Sequence, residues 1–417
     1  MLSAEEVAAL KARNYRTIRP IIISNYALGV NLMRPSRLGN ALKLLNIILM
    51  VSSLISFYGH WQLIILYIHE IPRIVETVST MFQTAMSIMK MAYCLFIQHK
   101  FYELLKRACT HQLLQDCEIF HSDFPINQEL KEKVDEIMSA SWTSIRRQSL
   151  YYVSACIAII CNYFGNSLGV NLYHYYTRPY GSFEIILPFP VRYPKWQDKC
   201  MDFPYYHIEM YLSGCALYIA GIGAFGFDAL FIVLCAHGVG QIKALCYMIE
   251  CSTSPLVPSE RRVEYIRYCI YQYQRVSAYA EEINNFFRQM ILVQFLLSLF
   301  CWGLVLFQMS LGFGSSFITV IRMIMYMAAA GYQIVIYCYN GQEFMTASEQ
   351  IPMAFYNCCW YKENREFRQL VRMMIMRTNR MFNLDVSWFT KMSLPTLMVM
   401  MKTSGQYFLL LQNVSEK

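Results

Sequence analysis

The sequence predicts an all-α membrane protein with seven transmembrane helices, its N-terminus cytoplasmic and its C-terminus extracellular. Three observations carry that expectation. Of 417 residues, 56% are hydrophobic, 15% aromatic and only 15% charged, against about 25% charged in an ordinary soluble domain. Seven stretches reach the roughly 20 mostly apolar residues that a helix needs to cross the hydrocarbon core. Lys and Arg, finally, gather on alternate connections between those stretches.

The apolar stretches lie near residues 41–62, 72–98, 147–173, 207–237, 289–311, 317–340 and 393–411. Several exceed what a bilayer requires, so the helices are expected to continue into the cytoplasm as a helical stalk; the amphipathic stretches 99–146 and 238–288 suit such extensions. The tail 1–40 and the connections 99–146, 238–287 and 341–392 hold 25 of the 36 Lys and Arg, with Arg147 at a boundary counted among them, whereas the alternate connections hold five. Cytoplasmic segments carry the basic excess, which places the N-terminus inside. A G-protein-coupled receptor has the opposite orientation. The third span, moreover, closes on Asn171, Leu172, Tyr173 and His174 instead of an acidic-Arg-aromatic triplet.

The start, MLSAEEVAALKARNY, has two acidic residues and no apolar core beside a cleavage site, so it reads as a retained tail instead of a secretory signal. Most of the 15 cysteines, among them Cys94, Cys156, Cys161, Cys235, Cys301 and Cys338, fall inside apolar runs and read as small buried hydrophobes. Cys358 and Cys359 are adjacent, with no second pair at zinc-ligand spacing. No metalloprotease, serine-hydrolase or nucleotide-binding motif occurs, and the eight histidines form no ligand cluster, so no enzyme, cofactor or metal is expected. Gly221 to Gly226 matches a dinucleotide fingerprint by letters only, being mid-span with no preceding strand. The same glycines suit close helix contact or a bend in the fourth span.

Charge inside a bilayer is costly, which singles out Asp228 in the fourth span and Arg322 in the sixth. A structural hydrogen bond is the expected role of Asp228, and snorkelling that of Arg322. The connection 174–206 carries Pro179, Pro188, Pro190, Pro194 and Pro204 among many tyrosines. It resists helix, and reads equally as a lid folded onto the bundle or as an interfacial aromatic belt. In the last span, helical spacing aligns Thr396, Met400, Thr403, Tyr407, Leu410 and Val414, a stripe polar within the bilayer and apolar at its outer end. Symmetric copies of such a helix could enclose a pore gated by dewetting; the stripe also suits a seventh helix merely packed in a bundle. Asn413-Val414-Ser415 is a glycosylation sequon expected to be unused so near the membrane.

Three segments resemble the insect odorant receptors. The first runs Asp228-Ala-Leu-Phe231, then His237, Gln241 and Leu245. The second is Ala354-Phe-Tyr-Asn-Cys-Cys-Trp360-Tyr361, followed by Arg368 to Arg377 with its run of methionines. The third is Lys402-Thr-Ser-Gly-Gln-Tyr407-Phe408-Leu-Leu-Leu-Gln. The terminus departs from the family in having Gln406 where Ser commonly precedes the tyrosine. Four residues, Phe408 to Leu411, separate Tyr407 from Gln412, where the related gustatory receptors have five. The ending and the short intracellular loop fit an odorant-tuned subunit better than the co-receptor.

The resemblance implies an odorant-gated, non-selective cation channel that works as a tetramer with an olfactory co-receptor in the plasma membrane of a sensory neuron dendrite. Its implied partners are a small volatile odorant, membrane lipid and permeant cations, with no nucleic acid. It implies a six-span ligand-binding region over 1–340, a cytoplasmic helical anchor over 341–392 and a pore-lining seventh helix over 393–417. Leu410 and Val414 match the family's gate positions and Asn413 the adjacent pore amide. Odorant is expected among spans two, three, four and six. By depth and helical face the candidate ligand residues are Val78, Met81, Phe82, Tyr163, Asn166, Val170, Tyr211, Cys215, Ile321 and Met325. The alternatives weighed are a gustatory-type channel of the same superfamily and a membrane transporter, though no inverted repeat is visible.

Overall fold

In hydrocarbon a backbone must satisfy its own hydrogen bonds, so apolar segments of this length fold as helices. The computed structural model describes residues 37–68, 70–97, 100, 104, 125–178, 185–195, 202–311, 317–387 and 390–415. The expectations placed on residues 1–36 lie outside it. Among the described residues there are nine α-helices: α1 Arg37–Leu66, α2 Ile71–Phe96, α3 Pro125–Thr177, α4 Tyr205–Tyr218, α5 Ala224–Glu250, α6 Arg262–Leu311, α7 Phe317–Asn357, α8 Arg365–Thr378 and α9 Leu394–Ser415. A π-helical segment, Ile219–Gly223, joins α4 to α5, so these form one continuous rod.

By length and apolarity α1, α3, the α4–α5 rod and α6 each qualify to cross a membrane among the described residues. Helices α2, α7 and α9 pack alongside them: α2 on α5 and α6, α7 on α5, and α9 on α6 and α7. Seven helical passes result. Two strongly apolar passes have opposite surroundings. α5 is the core: every side chain from Ala229 to Cys235 is fully buried. α1 instead exposes Leu44, Ile48, Val51, Leu54, Tyr58 and Trp61, the last by 53%, as a helix does whose solvent is lipid.

Helices α3, α6, α7 and the α4–α5 rod run well past the roughly 20 residues that cross a bilayer, and α6 and α7 pack against α8. Phe344, Phe355 and Phe367 are fully buried there. The Asn364 side chain caps α8 by accepting from the Phe367 amide at 2.9 Å. Arg262 pairs with Glu363 at 2.5 Å, and Arg267 with Glu366, tying α6 to the start of α8. Cys359 takes a left-handed conformation (φ 50°) in the turn after α7, while its neighbour Cys358 is buried. Burial pushes the Cys358 thiol up to about 11, so it stays protonated and acts as an apolar filler. Among the described residues no metal-binding cluster forms.

The chain enters α9 through a short antiparallel turn, with the Asp385–Lys391 bridge and a Met392 amide to Leu384 carbonyl bond of 2.8 Å. That turn presses on α7 at Gly341, where a Cβ would sit 2.4 Å from the Met392 carbonyl oxygen. Gly341→Ala therefore pushes main chain against main chain and is expected to destabilise the protein by about 1–3 kcal/mol. Thermal unfolding of the purified variant measures this, and an unchanged midpoint would remove the close approach from the account.

Candidate functional site

The α4–α5 rod changes pitch at the segment Ile219–Gly223, and the candidate site lies beside it. A π segment adds a residue to the turn and frees backbone groups, a device found often at functional sites. Here Ser87 of α2 donates to the Ala220 carbonyl at 3.2 Å. At Gly221 a Cβ would meet Ile160 Cδ1 of α3 at 2.7 Å. The missing side chain lets Ile160 pack against the rod, and beside this contact lies a cavity of about 60 Å³ between α2, α3, the rod and α7. Its walls include Gln83, Cys156, Tyr163, Leu217 and Tyr326, with Tyr152 and Gln333 as its floor.

The roof is the proline-rich connection, whose described part, 185–195, folds into the bundle as a lid. Ser213 of α4 accepts from the Phe189 amide at 2.6 Å and donates to the Phe189 carbonyl at 3.0 Å. Asn171 of α3 clasps Ile186 in the same two-way manner, at 2.9 and 2.8 Å, and Ser167 adds a further bond to the Ile186 carbonyl. Thus anchored, Phe189 lies edge-on to Tyr163, with ring centroids 5.8 Å apart, and to His60 of α1 at 6.1 Å. Arg192 and the buried Glu209 approach to 3.8 Å beside it.

Below the floor, Lys90 of α2 and Asp228 of α5 pair at 2.7 Å with neither side chain exposed. Tyr152 of α3 donates to Asp228 at 2.5 Å, Gln333 of α7 at 2.6 Å, and Tyr337 of α7 donates to its other oxygen. The carboxylate thus accepts four hydrogen bonds from three helices. Lys90 also lies 5.6 and 5.7 Å from the ring centroids of Phe227 and Tyr337. Gln333 accepts in turn from Gln294 of α6 at 3.1 Å. The expected structural hydrogen bond at Asp228 is therefore a buried ion pair at the centre of a network. Arg322 has its side chain outside the described residues.

Of the ligand candidates named from sequence, Tyr163 lines the cavity. Met81 and Cys215 are buried elsewhere in the helix packing, and Val78, Phe82, Asn166, Val170 and Met325 are half-buried outside the wall. Tyr211 is half-exposed, its hydroxyl 3.5 Å from Ser52 of α1. The side chains of Ile321 and Val414 lie outside the described residues. Leu410 and Asn413 are exposed on α9, Leu410 by 59%. Ser404 donates to the Leu299 carbonyl at 3.4 Å, and the Tyr407 ring lies 5.6 Å from that of Phe300. These contacts hold α9 parallel to α6. Sequence reasoning missed Phe189, Gln83, Gln333 and the partnership of Lys90 with Asp228. A lysine in an apolar run at the same depth as Asp228 was the signal available for the last.

A family model described as 7tm Odorant receptor matches residues 70–405. Odorant receptor 63a of Drosophila melanogaster is 59% identical over 420 residues, covering 100% of both chains. Odorant receptor 67b of the same fly is 28% identical over 94% of each chain. Among solved structures, the insect olfactory receptor OR5 from Machilis hrabei in complex with eugenol superposes with a TM-score of 0.77 at 13% identity, over 98% of this chain and 100% of that one. A second structure of OR5 gives 0.72 at 14% identity, over 97% and 99%. At such identity the likeness is one of fold.

Breaking a buried pair by removing one partner strands the other charge. Asp228→Ala is expected to cost about 3–5 kcal/mol, and the double variant Lys90→Met with Asp228→Leu to recover most of it. Yield and thermal unfolding of the two proteins decide this; equal losses would show that the ion pair is not the source.

Proposed function

The chain belongs to the 7tm odorant receptor family, and from that membership we propose that it is the odorant-tuned subunit of a ligand-gated, non-selective cation channel that assembles as a tetramer with a co-receptor. The family is one of multi-pass membrane receptors, not enzymes. The observation that carries the reading is a lidded, mostly apolar cavity linked through α6 to a helix with an unpartnered apolar face. In the single chain α9 leaves Met398, Val399, Met401, Leu409 and Leu410 exposed. Copies of α9 from neighbouring subunits would cover that face and enclose a pore.

In this reading Leu410 and Val414 form the gate and Asn413 supplies amides beside it, with the N-terminus inside the cell and α9 ending outside. A small volatile ligand enters beneath the lid and gains from burial, at about 25 cal/mol per Å² of apolar surface. Typical ligand pockets span about 300–1,000 Å³, so a cavity of about 60 Å³ must widen to hold an odorant. That requirement supplies the differential affinity that gating needs: the ligand favours the conformation with the larger cavity. Eugenol, bound by OR5, is a first probe. The resting place proposed for the assembly is the plasma membrane of an olfactory sensory neuron dendrite.

Recordings from cells expressing the chain with a co-receptor test the assignment. Leu410→Ser is expected to raise resting current by wetting the constriction, and unchanged resting and evoked currents would remove Leu410 from the gate. Tyr163→Ala is expected to shift half-maximal odorant concentration about tenfold, or ~1.4 kcal/mol, with ion permeability unaltered; a permeability change instead would move Tyr163 to the pore. An epitope fused after Lys417 should be reachable by antibody on intact cells, and labelling that requires permeabilisation would reverse the orientation.

A further inference from the structure

The Asp228 cluster extends beyond what neutralising one carboxylate requires. Gln333 is the member that touches three places at once. Its side chain lines the cavity, its amide nitrogen donates to Asp228 at 2.6 Å, and its amide oxygen accepts from Gln294 at 3.1 Å. Gln294 also donates to Ser298, one turn further along α6, at 2.8 Å. The next two residues, Leu299 and Phe300, are those that meet Ser404 and Tyr407 of α9. Hydrogen bonds therefore run from the cavity floor to Ser298, and the two residues that follow it in α6 touch the last helix.

From this geometry we infer that Gln333 is a positioning residue that relays occupancy of the cavity to α9 through Gln294, and that the ligands it answers to carry a hydrogen-bonding oxygen. The inference rests on the odorant-gated reading above. A cavity of about 60 Å³ is far below the roughly 300–1,000 Å³ of a ligand pocket, so an incoming ligand displaces wall side chains. A ligand oxygen that accepts from the Gln333 amide draws that side chain into the cavity. Asp228 then keeps Lys90, Tyr152 and Tyr337, so its charge stays satisfied. Gln294 loses its partner on α7 and keeps Ser298. Hydrogen bonds are exchanged with little net loss, while the polar tie between α7 and α6 opens and α6 can shift with α9. An apolar ligand of equal size would press on the same wall without engaging the amide.

The test compares Gln294→Met, Gln333→Met and the double variant with the unaltered chain, each co-expressed with a co-receptor. Probes are eugenol and a panel of small ketones and alcohols, with hydrocarbons of matching length. Readouts are the ratio of evoked to resting current, surface expression, and the shift in unfolding temperature that the active probe causes in the purified complex. Gln294 does not line the cavity, so Gln294→Met is expected to keep the ligand-induced shift while lowering the current ratio about tenfold, within the usual span of coupling energies. The double variant is expected to be no worse than Gln333→Met, because both remove one link. Should Gln294→Met not reach the surface, Gln294→Asn, which withdraws the amide by one methylene, gives the same readout. An unchanged ratio in the Gln294 variant, losses that multiply in the double, or hydrocarbons as effective as ketones would each overturn the relay. An unaltered receptor that passes no evoked current with any probe overturns the channel reading itself, whereas normal responses beside unaffected Gln294 variants overturn the relay alone.

Discussion

A carboxylate inside a membrane helix must find its hydrogen-bonding shell within the protein, because hydrocarbon offers none. Asp228 meets that constraint with Lys90, Tyr152, Gln333 and Tyr337, drawn from three neighbouring helices. Each side chain has a fixed reach, so all three helices are held in depth and rotation relative to α5. Apolar packing alone would leave sliding inexpensive, since lipid tails are as apolar as leucine. Polar contacts at one point thus set a register that the surrounding aromatic rings, Phe227, Phe231 and Phe287 among them, then fill.

The same constraint explains how helices of like composition come to occupy unlike places. α1 and α5 are both strongly apolar, yet α1 faces lipid and α5 is enclosed. Small residues along the rod, Ala220, Gly221, Gly223 and Ala224, let other helices approach it closely, whereas α1 presents bulky Leu, Ile and Trp side chains. The π segment falls among those small residues, and the cavity lies beside it.

Much of the fold was legible because lipid imposes length and apolarity on each pass. The unusual length of α3 and α6 was legible as amphipathic stretches continuing the apolar runs. The cavity wall was not. Depth and helical face led to Met81 and Cys215, which pack between helices, while the wall is built by residues one or two positions away, such as Gln83 and Leu217. Two positions along a helix turn a side chain by more than half a revolution, so choosing the wrong face of α2 or α4 exchanges the cavity wall for interhelical packing. Phe189 escaped notice for another reason: its connection has no periodicity, and only the tertiary bonds from Asn171 and Ser213 show where it goes.

Those bonds hold the lid by its main chain. Ser213 and Asn171 grip amide and carbonyl groups, which every residue but proline provides in full, and make no demand on the side chain carried at Phe189 or Ile186. The roof is thus decoupled from its fastening: exchanging Phe189 for a smaller or more polar residue alters the chemical surface offered to a guest while the clasp persists. Such an arrangement allows selectivity to drift through one loop position at little cost to folding.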